Sequence, residues 1–182
     1  MPLPRFHRLS LDEQERILAV ATRHLSIRGL AGVSVNEIAD EAGLSRSAIY
    51  NYFDGKSDLV DAVRAAAIRK VAAALGNWTT QPDPAAFWAE FRAGSAQLSA
   101  LLAEAPELRQ ALATVTGGGL DEWVNAFFEN AVALGLVSPQ HRRLTRVATG
   151  AILAAADAAE LAEPGSISTA DVEAVLRAVW RG

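Results

Sequence analysis

The chain has 182 residues, 51% of them hydrophobic and 21% charged, with a formal net charge of −4. That length and balance exclude wholesale disorder and suffice for one substantial core, or for a small module fused to a larger one. The absence of cysteine excludes a disulfide framework, a thiol nucleophile and Cys-based zinc or iron–sulfur sites; the acid excess excludes a generally basic coat but leaves a local nucleic-acid footprint open.

Abundant alanine and the scarcity of β-branched runs point to helix throughout. The opening Met1–Ser10 has no apolar run of the secretory kind. Its Arg5 and Arg8 stand in an arm without acids, which reads either as a segment reaching a minor groove or as a disordered start. Ser10 with Glu13 forms a capping box ahead of Ile17, Leu18, Ala21 and Leu25, which have helical spacing. Gly29 and Gly32 punctuate the chain around Leu30. Ser34 with Glu37 forms a second capping box, and Val35, Ile38, Ala39 and Ala42 are the inner face of a short helix that Gly43 stops. Ser45 caps a third short helix ending near Phe53, anchored by Ile49 and Phe53.

After the turn Asp54-Gly55, a long helix is expected from about Lys56 to Gly76 with Leu59, Val63, Ala66 and Val71 inward. Helix starts follow at Asp83-Pro84, Ala105-Pro106 and Ser138-Pro139. The run Gly117-Gly118-Gly119 reads as an interhelical hinge, since no strand precedes it and no Lys-Ser/Thr follows as a phosphate loop requires. It separates a helix over Pro106–Thr116 from one through Trp123, Phe127, Val132 and Leu136. A helix from about Pro139 to Leu161 and a last one over about Thr169–Arg181 bring the expected total to nine, an all-α fold. The most apolar stretch, Val147–Ala156, is broken by Asp157 and Glu160 and is too short to span a bilayer, so the expectation is a soluble, cytoplasmic protein without membrane contact.

Two short helices joined by Ala42-Gly43-Leu44-Ser45 have the spacing of a helix-turn-helix. The second would enter the major groove, with Arg46, Ser47, Ala48, Tyr50, Asn51 and Tyr52 outward. Residues two apart on a helix cannot share a face, so Tyr50 and Tyr52 cannot both be core if Ile49 and Phe53 are. Residues 1–60 hold seven Lys+Arg and eight Asp+Glu, so Glu37, Asp40 and Glu41 should face away from phosphates.

From about Leu11 to Val63 the chain resembles the tetracycline-repressor (TetR) family of one-component transcriptional regulators. The resemblance rests on Ile17-Leu18, Ala21, the Gly29–Gly32 break, Ser34-Val35-Asn36-Glu37-Ile38-Ala39, Ala42-Gly43-Leu44-Ser45, Ile49-Tyr50, Tyr52-Phe53, Lys56 and Leu59. It implies a DNA-binding domain over residues 10–70, with its motif at about 34–53, and a ligand-binding and dimerisation body over 71–182. It further implies a homodimer on a palindromic double-stranded operator, acting as a repressor and released by a small-molecule effector. Ser34 and Asn36 match the start of the first motif helix; Ser45, Arg46, Ser47, Ala48 and Asn51 match the reading head. Tyr50, Tyr52 and Lys56 match phosphate contacts. Ser47 departs from the glycine many members carry there, so no base preference transfers.

Trp78, Phe87, Trp88, Phe91, Trp123, Phe127 and Phe128 are core material by composition; the resemblance makes Trp88, Phe91, Trp123 and Phe127 candidate effector contacts. Small residues at Ala148, Ala151, Ala155 and Ala159, with the stripe Val172, Val175, Leu176, Val179 and Trp180, suit either a four-helix dimer interface or packing within one subunit. The cluster Arg142, Arg143 and Arg146 reads as a solvated or interface face. His7, His24 and His141 have no metal-ligand partner at i+3 or i+4, and no cofactor is implied. An enzyme would need a nucleophile–base pair, metal cluster or cofactor loop, none of which is visible in the sequence. The other rival is a regulator whose body binds a protein partner or no ligand.

Overall fold

The structure is a computed structural model describing residues 1–113 and 120–181; the triple glycine and the expected end of the preceding helix at Thr116 lie outside the described residues. The described residues form nine α-helices without a strand. They are α1 (Leu11–Gly32), α2 (Val35–Glu41), α3 (Arg46–Tyr52), α4 (Lys56–Leu75), α5 (Pro84–Glu104), α6 (Pro106–Leu112), α7 (Asp121–Ala133), α8 (Arg142–Ala162) and α9 (Thr169–Arg181). None of these is long and apolar enough to cross a membrane. They divide into two compact units, a head of Met1–Lys70 with α6 and a body of Val71–Glu104 with α7, α8 and α9. That α6 packs on α1 in the head, though body helices flank it in sequence, has no local signature in the chain.

In the head, the Ser10–Glu13 capping box is complete, each side chain satisfying the other's backbone N–H. The second capping box is half made: Ser34 accepts from Glu37 N, whereas the Glu37 carboxylate pairs with Arg28 of α1. A cation on a neighbouring helix outcompetes a local backbone donor here. Gly29 breaks α1 near its end with φ 64°, a conformation an L side chain adopts at a cost. Ile17, Ala21, Leu25, Ile38, Ala39, Ile49, Phe53, Leu59 and Val63 are all buried. On α4 the inward alanines are Ala62 and Ala67; Ala66, expected there, is half-buried.

The arm before α1 is folded. A 3-10 turn at Phe6–Arg8 buries Phe6, whose ring lies 4.8 Å from that of Phe53 and 6.4 Å from that of Tyr52. Leu3 N donates to the Tyr52 carbonyl at 2.8 Å. Of the two readings of this arm, the disordered start is the one the fold does not bear out: one buried aromatic is worth about 1.5–3 kcal/mol, enough to dock a short strap.

The body is built on aromatic rings. Phe87 and Phe127 stack at 4.9 Å and Trp123 and Phe127 at 5.3 Å, with Trp78, Trp88, Phe91 and Trp180 in edge or tilted contact around them. Two buried polar groups tie this core to the chain. Asn130 accepts from Trp78 Nε1 and Gln81 N and donates to the Gln81 carbonyl, fixing the segment between α4 and α5 to α7. Thr149 accepts from Trp180 Nε1 at 2.8 Å, joining α8 to α9. At the edge, Arg177 lies over the Trp88 ring, 4.3 Å from its centre, and bridges to Glu173, which also pairs with Arg92 of α5.

Two expected boundaries shift. α7 stops at Ala133, not Leu136, because Gly135 (φ 70°) turns the chain so that Gly135 N reaches Val132 O and Leu136 N reaches Ala131 O, a paired C-cap. α8 begins at Arg142, not Pro139: Ser138 N is drawn to the Trp180 carbonyl at 2.7 Å, and His141 at φ 57° precedes the helix. The stripe on α9 is split. Leu176 and Trp180 are enclosed in the protomer's own core, 0% and 1% exposed, so they are not available to a partner. Val172 and Val179 are half-buried and Val175 is exposed.

Candidate nucleic-acid interface

The turn between α2 and α3 is shaped by one glycine. Gly43 sits at φ 68°, which lets its N–H reach the Asp40 carbonyl while Leu44 N reaches that of Ala39, closing α2 and reversing the chain in three residues. Ser45 then caps α3, accepting from Ala48 N at 3.1 Å, with the Ser47 hydroxyl 3.0 Å from its own. Ile49 and Phe53, both 0% exposed, seat α3 in the head and fix which side faces out. That side carries Arg46, Ser47, Tyr50 and Asn51, all exposed, while Ala48 is half-buried. Of the candidates on α2, Ser34 is the N-cap, and Asn36 has a buried Oδ1 without a hydrogen-bond partner among the described residues.

The two tyrosines have separate environments. Tyr50 is 50% exposed beside Arg46 on the outer face, whereas Tyr52 lies half-buried under Phe6 of the strap. Lys56 donates to the Ala31 carbonyl at 2.8 Å, capping the end of α1, and its ammonium has further donors to offer.

Pairing accounts for two of the three acids on α2, while Asp40 is exposed. Arg23 and His24 of α1 hold Glu41, and Arg28 holds Glu37, so these two acids of α2 are neutralised by the helix behind them. The His24 imidazole, with the Arg23 guanidinium, keeps the Glu41 carboxyl below the usual carboxylate range. Arg5, Arg8 and Arg46 are exposed on the strap and on α3. Arg5 and Arg8, with Leu3 and Pro4, line a groove of about 380 Å³ whose other wall is Tyr50 and Asn51. The helical pattern of the sequence gives no hint of this groove; its one signal there is Phe6, a lone aromatic between two arginines.

An exposed, capped α3 presenting a cation, hydroxyls and a carboxamide, held across a tight glycine turn from α2, defines a helix-turn-helix head. The family profile described as bacterial regulatory proteins, tetR family, matches residues 17–63, which span this head. The chain is 46% identical over 48 residues to the HTH-type transcriptional regulator AcrR of Shigella flexneri; the match covers 26% of this chain and only 22% of that relative. Among solved structures, SmeT, the repressor of the Stenotrophomonas maltophilia multidrug efflux pump SmeDEF, superposes with a TM-score of 0.66 at 19% identity, covering 92% of this chain and 90% of SmeT. The fatty acid degradation regulator FadR of Bacillus halodurans gives 0.65 at 16% identity over 94% of this chain and 96% of FadR. A TetR-family protein of Vibrio parahaemolyticus gives 0.63 at 20% identity over 93% and 97%. At these identities the superpositions speak to fold alone. Over residues 17–63, then, the head matches the tetR family of bacterial regulatory proteins, and the chain spans under a quarter of the length of the curated relative it matches.

The candidate effector residues do come together. Phe91 and Phe127 are 5.5 Å apart, Trp88 and Phe91 5.8 Å, and Trp123 stacks on Phe127; the first three are buried and Trp123 is half-buried. The candidate interface alanines are also placed: Ala151 and Ala155 are exposed and Ala148 is half-buried. Leu144 and Val147, at 69% and 61% exposure, extend the same face of α8.

Proposed function

We propose that the protein is a cytoplasmic DNA-binding transcriptional repressor that holds a palindromic operator as a homodimer and releases it on binding a small molecule. The observation that carries DNA binding is the outer face of α3, with Arg46, Ser47, Tyr50 and Asn51 exposed and Glu37 and Glu41 of α2 paired with α1. Arg46 and Ser47 supply base-edge donors and acceptors; Ser34, Asn36, Ser45, Tyr50 and Lys56 supply backbone contacts.

Dimerisation is supported by α8. Leu144, Val147, Ala151, Ala155 and Ala158 are apolar, fall on one face and are exposed, a row too continuous for a surface meant for water. With Val175 of α9, the face suits a self-complementary packing of two helices from each protomer. Effector control is supported by connectivity. The body helices α5 and α7 flank α6 in sequence, α6 packs on α1, and α4 contributes to both units. A ligand among Trp88, Phe91, Trp123 and Phe127 would displace rings that touch each other, and so move the helices that carry them.

That close ring packing also favours the second reading, a body that binds a protein partner or no ligand. Selection of duplexes from a randomised pool tests the shared part of both readings: an inverted repeat should be enriched. Arg46→Ala should relax base preference within each half-site, whereas no enrichment by the wild-type chain would overturn the proposal.

A further inference from the structure

The N-terminal strap has no part in the helix-turn-helix, yet it is docked against α3 more firmly than a tail needs to be. Phe6 is 2% exposed under Phe53 and Tyr52, and the Leu3 N–H is bonded to the last carbonyl of α3. The 3-10 turn that buries Phe6 leaves its neighbours Arg5 and Arg8 outside, both exposed, on the groove they share with Tyr50 and Asn51. Two guanidiniums, a phenol and a carboxamide around one open groove are hydrogen-bond donors in common, and no acid is among the described residues that line it. Such a lining suits a phosphate: planar Arg forks match its oxygens and Tyr and Asn donate the remainder. Its position selects the source. Tyr50 stands one helical turn beyond Arg46 on the face proposed to enter the major groove, so the groove opens where the flanking sugar–phosphate strand would pass.

We propose that the strap is a second, backbone-directed DNA site, in which Arg5 and Arg8 clamp a phosphate beside the half-site read by α3. This rests on the DNA-binding reading above. The site extends each head's footprint beyond the motif. Phosphate contacts position without reading sequence, so the strap adds affinity and salt dependence but no base preference.

The test uses the full chain and the duplex it selects from a randomised pool. Arg5→Gln/Arg8→Gln should weaken binding about tenfold or more at low salt. It should also lower the salt slope by about 0.9 for each phosphate no longer neutralised, with the selected sequence unchanged. Arg5→Lys/Arg8→Lys, which keeps the charge, should restore most of the slope. Phe6→Ala, which keeps both arginines but removes their anchor, should reproduce the loss. Wild-type affinity and slope in the Gln variant would overturn the strap while leaving the helix-turn-helix reading intact, as would an altered base preference, which would make these base-reading residues. Failure of the wild-type chain to select any duplex would overturn both.

Discussion

Asn130 shows how much can rest on one buried side chain. Its carboxamide satisfies Trp78 Nε1, Gln81 N and the Gln81 carbonyl together, so truncation strands three groups at once. Asn130→Ala should cost about 3 kcal/mol, read as a lowered urea midpoint. Lys56 serves both the fold and the proposed DNA site. Lys56→Ala should weaken binding to all duplexes alike and, by freeing the Ala31 carbonyl, lower stability by about 1 kcal/mol. Glu41 sets a pH limit. Its carboxyl is held low by His24 and Arg23, so the stability it contributes is present above the ordinary value of 4.5 and is lost as pH falls through the lowered one. The difference in urea midpoint between wild type and Glu41→Gln should therefore shrink as the solution is acidified from pH 4.5 through the lowered value. A difference that grew instead would contradict the pairing. Lys56 and Glu41 stand out in the sequence by charge, whereas Asn130 does not, because its partners lie 49 and 52 residues away. The Lys56 bond to Ala31 is not legible either, because it crosses 25 residues of chain.

Helix starts and stops are readable where local chemistry decides them, as at Ser10, Ser34, Ser45 and Pro106. They mislead where a distant group decides. Pro139 looks like a first helical residue, but the pull of the Trp180 carbonyl on Ser138 delays α8 to Arg142. The α9 stripe is legible as apolar, yet its period does not say which side faces its own core, and Leu176 and Trp180 turn inward. Two element-scale outcomes separate these roles. Val147→Glu on the exposed face of α8 should give a folded monomer in sedimentation, since a charge there meets the partner and nothing in its own chain. Trp180→Ala should instead destabilise the body by about 3–5 kcal/mol, through the packing lost around a ring that is 1% exposed. A Val147→Glu protein that remained dimeric would place the interface elsewhere.

For the whole molecule, DNA release requires the effector to bind the operator-free arrangement more tightly than the operator-bound one, and operator then weakens effector binding by the same factor. Calorimetry of an apolar effector with and without duplex reads that factor; equal affinities would leave the body's aromatic core a scaffold only. The assignment of α6 to the head is not legible in the sequence, because it depends on packing against α1, far upstream in the chain. The central claim, that two identical heads read successive major grooves, is tested most directly by spacing. Two recognition helices about 34–36 Å apart fit half-sites one helical turn apart. Inserting about five base pairs, half a turn, between the half-sites of the selected repeat puts them on opposite faces of the duplex. Affinity should then fall to that of a single half-site, and affinity unchanged by the insertion would contradict a dimer that binds through both heads.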